Sequence, residues 1–105
     1  MMTFQDCYNR VKDVFMEKDL SSLNRNMSAM LHLNGAGDIF LACVDGCKLI
    51  EPVSHRGVDF SVTTTVDVLE KLMNHQLDPV IGFSTGQFRV TGNVMLAISL
   101  FRSLR

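Results

Sequence analysis

The sequence predicts an α+β domain: a mostly antiparallel sheet of about five strands with helices packed on one face. Three observations carry this. Apolar residues recur at helical spacing near both ends of the chain. Between Met27 and Thr63 the period falls to two, so side chains alternate across a sheet. Gly35-Ala36-Gly37 and Asp45-Gly46 then cut that middle stretch into hairpin-length pieces.

At the start, Thr3 is a helix cap with Asp6 three residues on, a short-armed capping box. Phe4, Cys7, Tyr8, Val11, Val14 and Phe15 form one face of that helix, and Gln5, Asp6, Asn9, Arg10, Lys12 and Asp13 the other. Asp19 to Leu23 reads as a turn or short helical connector. Met27, Ala29, Leu31 and Leu33 alternate with Ser28, Met30, His32 and Asn34 as a first strand. Ile39 to Val44 is a near-continuous apolar strand, and Lys48 to Val53 follows the Asp45-Gly46 turn. Pro52 lacks an N–H, which suits an edge position. After Ser54-His55-Arg56-Gly57, Val58, Phe60 and Val62 alternate with Asp59, Ser61 and Thr63.

Thr64, with Asp67 three residues later, is expected to start a helix whose face is Val68, Leu69, Leu72 and Met73. Asp78-Pro79 starts another, because Asp accepts from open N–H groups and Pro sits where none is needed. Gly86 closes that helix. Phe88 and Val90 alternate with Gln87, Arg89 and Thr91 in a last strand near Gln87 to Thr91, expected to lie parallel to a neighbour after so long a connection. Gly92 turns the chain and Asn93 caps a final helix. That helix carries Val94, Met95, Leu96, Ala97, Ile98, Leu100, Phe101 and Leu104 against only Ser99, Arg102 and Ser103. A helix packed on one side needs one apolar stripe. A second apolar face must meet another subunit, a membrane surface or a bound apolar ligand.

Composition narrows the functions. A chain of 105 residues forms one domain, with no linker or repeat. A net charge of -1 gives no basic surface to draw nucleic acid. No apolar run reaches the roughly 18–20 residues of a membrane span. Met1-Met2-Thr3-Phe4-Gln5-Asp6 lacks the pattern of a secretory leader, and Ser103-Leu104-Arg105 does not match the peroxisomal address, so the cytoplasm is expected. Three cysteines argue against a disulfide framework. If Asp45-Gly46 is a two-residue turn, Cys43 and Cys47 point to opposite faces of the sheet; a three-residue bulged loop would bring them opposite one another.

No catalytic constellation is visible, and neither a metal nor a cofactor is expected. His32, His55 and His75 lie on three separate elements without a second ligand at metal spacing. Glu51 and His55 are within reach of each other, but no nucleophile stands beside them. Thr63-Thr64-Thr65 reads as a strand end plus cap, and Gly35-Ala36-Gly37 lacks the lysine and hydroxyl of a phosphate loop.

At Leu77-Asp78-Pro79, Gly82-Phe83, Gly86-Gln87-Phe88-Arg89-Val90-Thr91-Gly92-Asn93 and Leu96-Ala97, the sequence resembles the sterol carrier protein type-two (sterol-transfer) domain family. The order of elements agrees over essentially the whole chain. The resemblance implies helices and sheet enclosing an apolar tunnel for a sterol, fatty acid or fatty acyl-CoA, in a non-enzymatic lipid binder. Gln87 stands where a Lys often follows the signature Gly, which weakens a phosphate site for acyl-CoA. On this basis the lipid-lining residues expected are Leu69, Leu72, Met73, Phe83, Phe88, Val90, Met95 and Ile98. The alternative is an accessory module that presents a lipid-like intermediate to a biosynthetic enzyme, or a homodimer formed through the C-terminal helix.

Overall fold

A computed structural model describes residues 3–104, apart from the side chain of Ser22. The leader reading at Met1-Met2 and the address reading at Arg105 lie outside the described residues. In chain order the elements are α1 (Phe4–Glu17), a 3-10 turn (Ser21–Leu23), β1 (Met27–Leu33), β2 (Gly37–Val44), β3 (Cys47–Glu51), β4 (Phe60–Thr64), α2 (Val66–Met73), α3 (Pro79–Ser84), β5 (Arg89–Gly92) and α4 (Val94–Ser103). The sheet has five strands in the order β3-β2-β1-β4-β5, with β3 and β5 at its edges.

Three of the pairings are antiparallel, while β1 and β4 run parallel. This corrects the expectation for β5, which returns antiparallel along β4. The parallel step falls earlier because the chain leaves edge strand β3, crosses β2 and β1 as segment 52–59, and enters the sheet beside β1. Helices α2 and α3 then bring it back in the opposite direction. The crossover covers the face of the sheet away from the helices. There the His55 ring lies 4.0 Å from that of Phe40 between centroids, and the His55 N–H donates to the Met30 sulfur at 3.3 Å. Val58 packs on the small cluster of Met30, Phe40 and Ala42.

The other face holds the main core. Met27, Ala29, Leu31 and Leu33 of β1 point into it with Ile39 and Leu41 of β2, meeting Cys7, Val11 and Phe15 of α1. Thr3 and Asp6 form the capping box, each side chain accepting from the other's backbone N–H. At the far end of α1, the Lys48 ammonium donates to the Met16 carbonyl at 3.2 Å and to the Lys18 carbonyl, completing acceptors that a helix terminus leaves open. The cap of α2 is Thr65, not Thr64: its hydroxyl accepts from the Val68 N–H at 3.2 Å. Thr64 continues the inward alternation of Phe60 and Val62, is 2% exposed, and donates instead to the Gln87 carbonyl. Strand pairing thus claims the residue one place earlier than the capping pattern suggests.

Phe88 falls just before β5 rather than within it, with its ring buried in the core. Helix α4 resolves the question of its second apolar face within the chain. Leu96, Ala97, Ile98, Leu100 and Phe101 are all buried, because β4, β5, α3 and the 3-10 turn pack around it. Only Met95 stands out, 75% exposed. Gly92 makes the tight entrance to α4 possible. Its φ is +94°, and a Cβ there would lie 2.4 Å from the Asp59 carbonyl oxygen. We expect Gly92→Ala to lower stability by about 2–4 kcal/mol, combining left-handed strain with a backbone clash. Urea unfolding measures this; an unchanged midpoint would show that β5 does not approach β4 so closely.

Candidate functional site

Between α1, α2, α4 and the sheet lies a cavity of about 10 Å³. Val11 and Val14 line it from α1, Leu31 and Leu41 from β1 and β2, Leu69, Leu72 and Met73 from α2, and Leu100, Phe101 and Leu104 from the C-terminal helix and its cap. That volume is about one water probe, and a buried water needs polar partners, which none of these side chains supplies. The void is dry. It is also far below the roughly 300–1,000 Å³ of a small-molecule pocket. A guest of lipid size therefore has to part the helices from the sheet or from one another.

The structure brings Leu69, Leu72 and Met73 together on this void. Phe88 is buried one ring away from it: Phe83, Phe88 and Phe101 form a run of tilted rings with centroid separations of 6.2 and 5.5 Å. Phe83 begins that run at the surface and Phe101 ends it at the void. Val90 packs against the core from β5, partly buried. Ile98 is buried in the core and Met95 faces outward, and neither lines the void. Val11, Val14, Leu31, Leu41, Leu100, Phe101 and Leu104 complete the lining. Each sits on an apolar stripe that periodicity locates, but periodicity does not say which stripes converge.

Two polar recesses of about 450 Å³ each open at the ends of the sheet. One lies by the β2–β3 hairpin, bordered by Asn24, Arg25, Asn26 and Lys48. The other lies where β4 ends and β5 begins, bordered by Asn34, Thr63, Thr65 and Arg89.

Among the described residues, no three His, Cys, Asp or Glu side chains are placed to share a metal ion. His32 Nδ1 meets Asp38 Oδ1 at 2.7 Å across β1 and β2, and His55 Nε2 lies 3.9 Å from Glu51 Oε1. These pairs stand on the face away from the void, with no nucleophile between them. In the hairpin Val44 pairs with Cys47 and Cys43 with Lys48, so the two sulfurs take opposite faces of the sheet. Exposed Asp19 is held below the usual carboxylate range, chiefly by hydrogen bonds from the Ser21 backbone and hydroxyl. It is part of the turn after α1, not of a reactive centre.

Cys7 differs. Burial pushes its thiol up to about 11, Glu70 adds to the effect and Arg10 opposes it. The neutral thiol is therefore held at physiological pH and acts as packing. We expect Cys7 to react with a thiol reagent at pH 8 at least about 100-fold more slowly than exposed Cys47 until the protein is unfolded. The folded state keeps this proton more tightly than the unfolded chain. Its contribution to stability is thus intact below the ordinary thiol pKa of 9.0 and is lost as pH rises through about 11. Cys7→Ala should remove that part of the alkaline loss, as read by denaturation at pH 8 and pH 10.5.

No curated protein matches the chain by sequence. Solved structures share its fold. A stereoselective inverting sec-alkylsulfatase from Pseudomonas sp. matches 86% of this chain with a TM-score of 0.75 at 16% identity, and the chain spans 15% of that enzyme's length. A palmitated SCP2L2 from Aedes aegypti matches 99% of this chain over 96% of its own, with a TM-score of 0.70 at 12% identity. A UbiJ-SCP2 ubiquinone synthesis protein matches 90% over 73% of its own, with a TM-score of 0.64 at 16% identity. At these identities the likeness is one of fold. The sequence itself matches the family model for residues 10–105, which covers nearly every element described above. The chain belongs to the SCP-2 sterol transfer family.

Proposed function

We propose that this domain binds and carries an apolar, lipid-like molecule without chemically changing it, acting in the cytoplasm. The guest lies between α2, α1, α4 and the sheet. The observation that carries this reading is the lining of the void by apolar residues alone, whose side chains have nothing to offer a polar guest and nothing with which to react. Family membership and the palmitated Aedes neighbour support a fatty acyl chain as the guest.

Uptake has to displace packing. Each Å² of apolar surface exposed costs about 25 cal/mol, and the guest's own burial offsets that cost. The helices are not equally free to move. Helix α1 is fastened by directed bonds: the Tyr8 hydroxyl donates to the Ile50 carbonyl at 3.3 Å, and Lys48 holds the Met16 and Lys18 carbonyls. Among the described residues, α2 makes no hydrogen bond or ion pair to another element beyond its own caps. In this reading α2 is the wall that yields, carrying Leu69, Leu72 and Met73 with it. The rings of Phe88 and Phe83 and the side chains of Val90 and Ile98 border the opened space.

A second reading, an accessory module that presents a lipid-like intermediate to an enzyme, draws on the exposed Val80, Ile81 and Phe83 of α3 and Met95 of α4. The ubiquinone synthesis neighbour is consistent with it. The two readings share the pocket and differ in whether this surface meets a partner, another copy of the chain included.

Displacement of an environment-sensitive apolar dye tests the pocket. Palmitate is expected to compete at micromolar concentration or tighter, on the order of -8 kcal/mol. Met73, at the less buried end of the lining, is the position to fill. Met73→Trp should weaken binding at least tenfold, about 1.4 kcal/mol, while melting within a few degrees of the parent. Met95→Trp, on the exposed face of α4, should leave binding intact. Equal behaviour of the two variants would place the guest elsewhere.

A further inference from the structure

We propose that α2 is a lid pivoting at Thr64 and Thr65, and that an apolar chain enters end-first at its opposite end, between Val14, Met73 and Leu104. This rests on the apolar-guest reading above and adds to it the way in and the direction of the guest.

The two ends of α2 are held differently. Thr64 is fixed on three sides: it pairs with Leu33 of β1, its carbonyl accepts from the Asn34 N–H at 2.8 Å, and its hydroxyl donates to the Gln87 carbonyl. Only Thr65, extended at φ -114° and ψ 163°, separates that anchor from the first helical residue, Val66. At the far end the chain turns on His75, whose φ is +62°. There the Asn74 N–H donates to the Glu70 carbonyl at 2.9 Å and the Gln76 N–H to the Lys71 carbonyl at 2.8 Å. These bonds run back into α2 itself, and Asn74, His75 and Gln76 are exposed. The next residue to pack on the core is Leu77. Helix and turn are thus one unit, anchored at Thr64 and tied at its other end by an exposed link. When such a unit swings, residues at the ends of elements absorb the change in dihedral angles.

The void comes nearest to solvent at that looser end. Among its lining residues Val14 is half-buried, Met73 is 9% exposed and Leu104 7%, whereas Leu31, Leu41 and Leu100 are completely buried. Met73 is the last residue of α2, Leu104 caps the end of α4, and Val14 lies in the last turn of α1. In so small a void the lining side chains are immediate neighbours, so the ends of three helices meet around one mouth. The mouth side chains are all apolar and offer a polar head no partner. The apolar end of a guest therefore goes in first and runs beneath α2 towards Leu69, while a polar end stays in water. The ligand class is a single-chain amphiphile.

Leu69 and Leu72 are both 2% exposed and both line the void, but Leu72 lies nearly one turn farther from the pivot. L69C and L72C, each in a C7A, C43S, C47S background, are labelled with a bulky maleimide in the absence of lipid. Urea midpoints and the amide exchange of α2 are measured on the same proteins. Well below the unfolding transition, L72C should label at least tenfold faster than L69C. The amides of residues 70–73 should meanwhile stay protected, because a helix that swings as a unit keeps its own hydrogen bonds. Palmitate should slow the labelling of L72C at least tenfold. Equal labelling of the two, faster labelling of L69C, or amide exchange in step with labelling would each overturn the pivot and leave the pocket standing. A protein that labels as expected but binds no palmitate would overturn the pocket reading, and the entry route with it.

Discussion

The fold turns on Asp59, the last residue before β4. Its carboxylate accepts from the Ser28 N–H at 2.9 Å and pairs with Arg25, and its own N–H donates to the Ser28 carbonyl at 3.0 Å. Its carbonyl accepts from the Asn93 N–H at 2.9 Å and leaves no room for a side chain at Gly92. One residue thereby sets the parallel register of β4 on β1 and the point where α4 begins. Such directed bonds fix position more sharply than apolar burial, which is non-directional. Were the register of β4 to slip by one residue, Phe60, Val62 and Thr64 would exchange faces with Ser61 and Thr63, and the floor beneath α2 and α4 would be lost.

Around that frame the core is closed but unevenly fastened. The crossover seals the outer face with His55, Met30 and Phe40, and Lys48 and Tyr8 fix α1 to β3. Among the described residues, helix α2 makes no hydrogen bond or ion pair to another element beyond its caps. Regions held by few directed bonds open at lower free energy than the rest of a domain. An apolar guest and an apolar core are interchangeable in such a place, since both satisfy the same side chains. The dry void under α2 is the residue of that exchange: a space too small for a ligand, in walls suited to nothing else.

Much of this was legible in the residues. The capping box at Thr3 and Asp6, the Asp78-Pro79 start of α3, the Asn93 cap of α4 and the Asp45-Gly46 turn all depend on chemistry within a few positions, and all stand as read. Asp45 and Gly46 adopt φ of +52° and +81°, as a two-residue hairpin requires. The face of α2 followed the same logic. Among the expected lining residues, Leu69, Leu72 and Met73 come from an amphipathic stripe with one choice of inward side. Met95 and Ile98 came from a helix apolar almost all round, where composition gives no such choice.

The sequence by itself determined what is local: periodicity, turns, three of the four helix caps and the order of helices and strands, and with them the family likeness. Only the tertiary structure decided what depends on meetings between distant segments. It set the parallel partner of β1, moved the α2 cap from Thr64 to Thr65, and covered the second face of α4 from within the chain. It also brought Val11, Leu31, Leu72 and Leu100 to one point, and Asn34, Thr63 and Arg89 to another. The physical reason is the same in each case. A cap or a turn is satisfied by neighbours along the chain, whereas a buried face is satisfied by whatever apolar surface the topology delivers, and periodicity does not encode which surface that is.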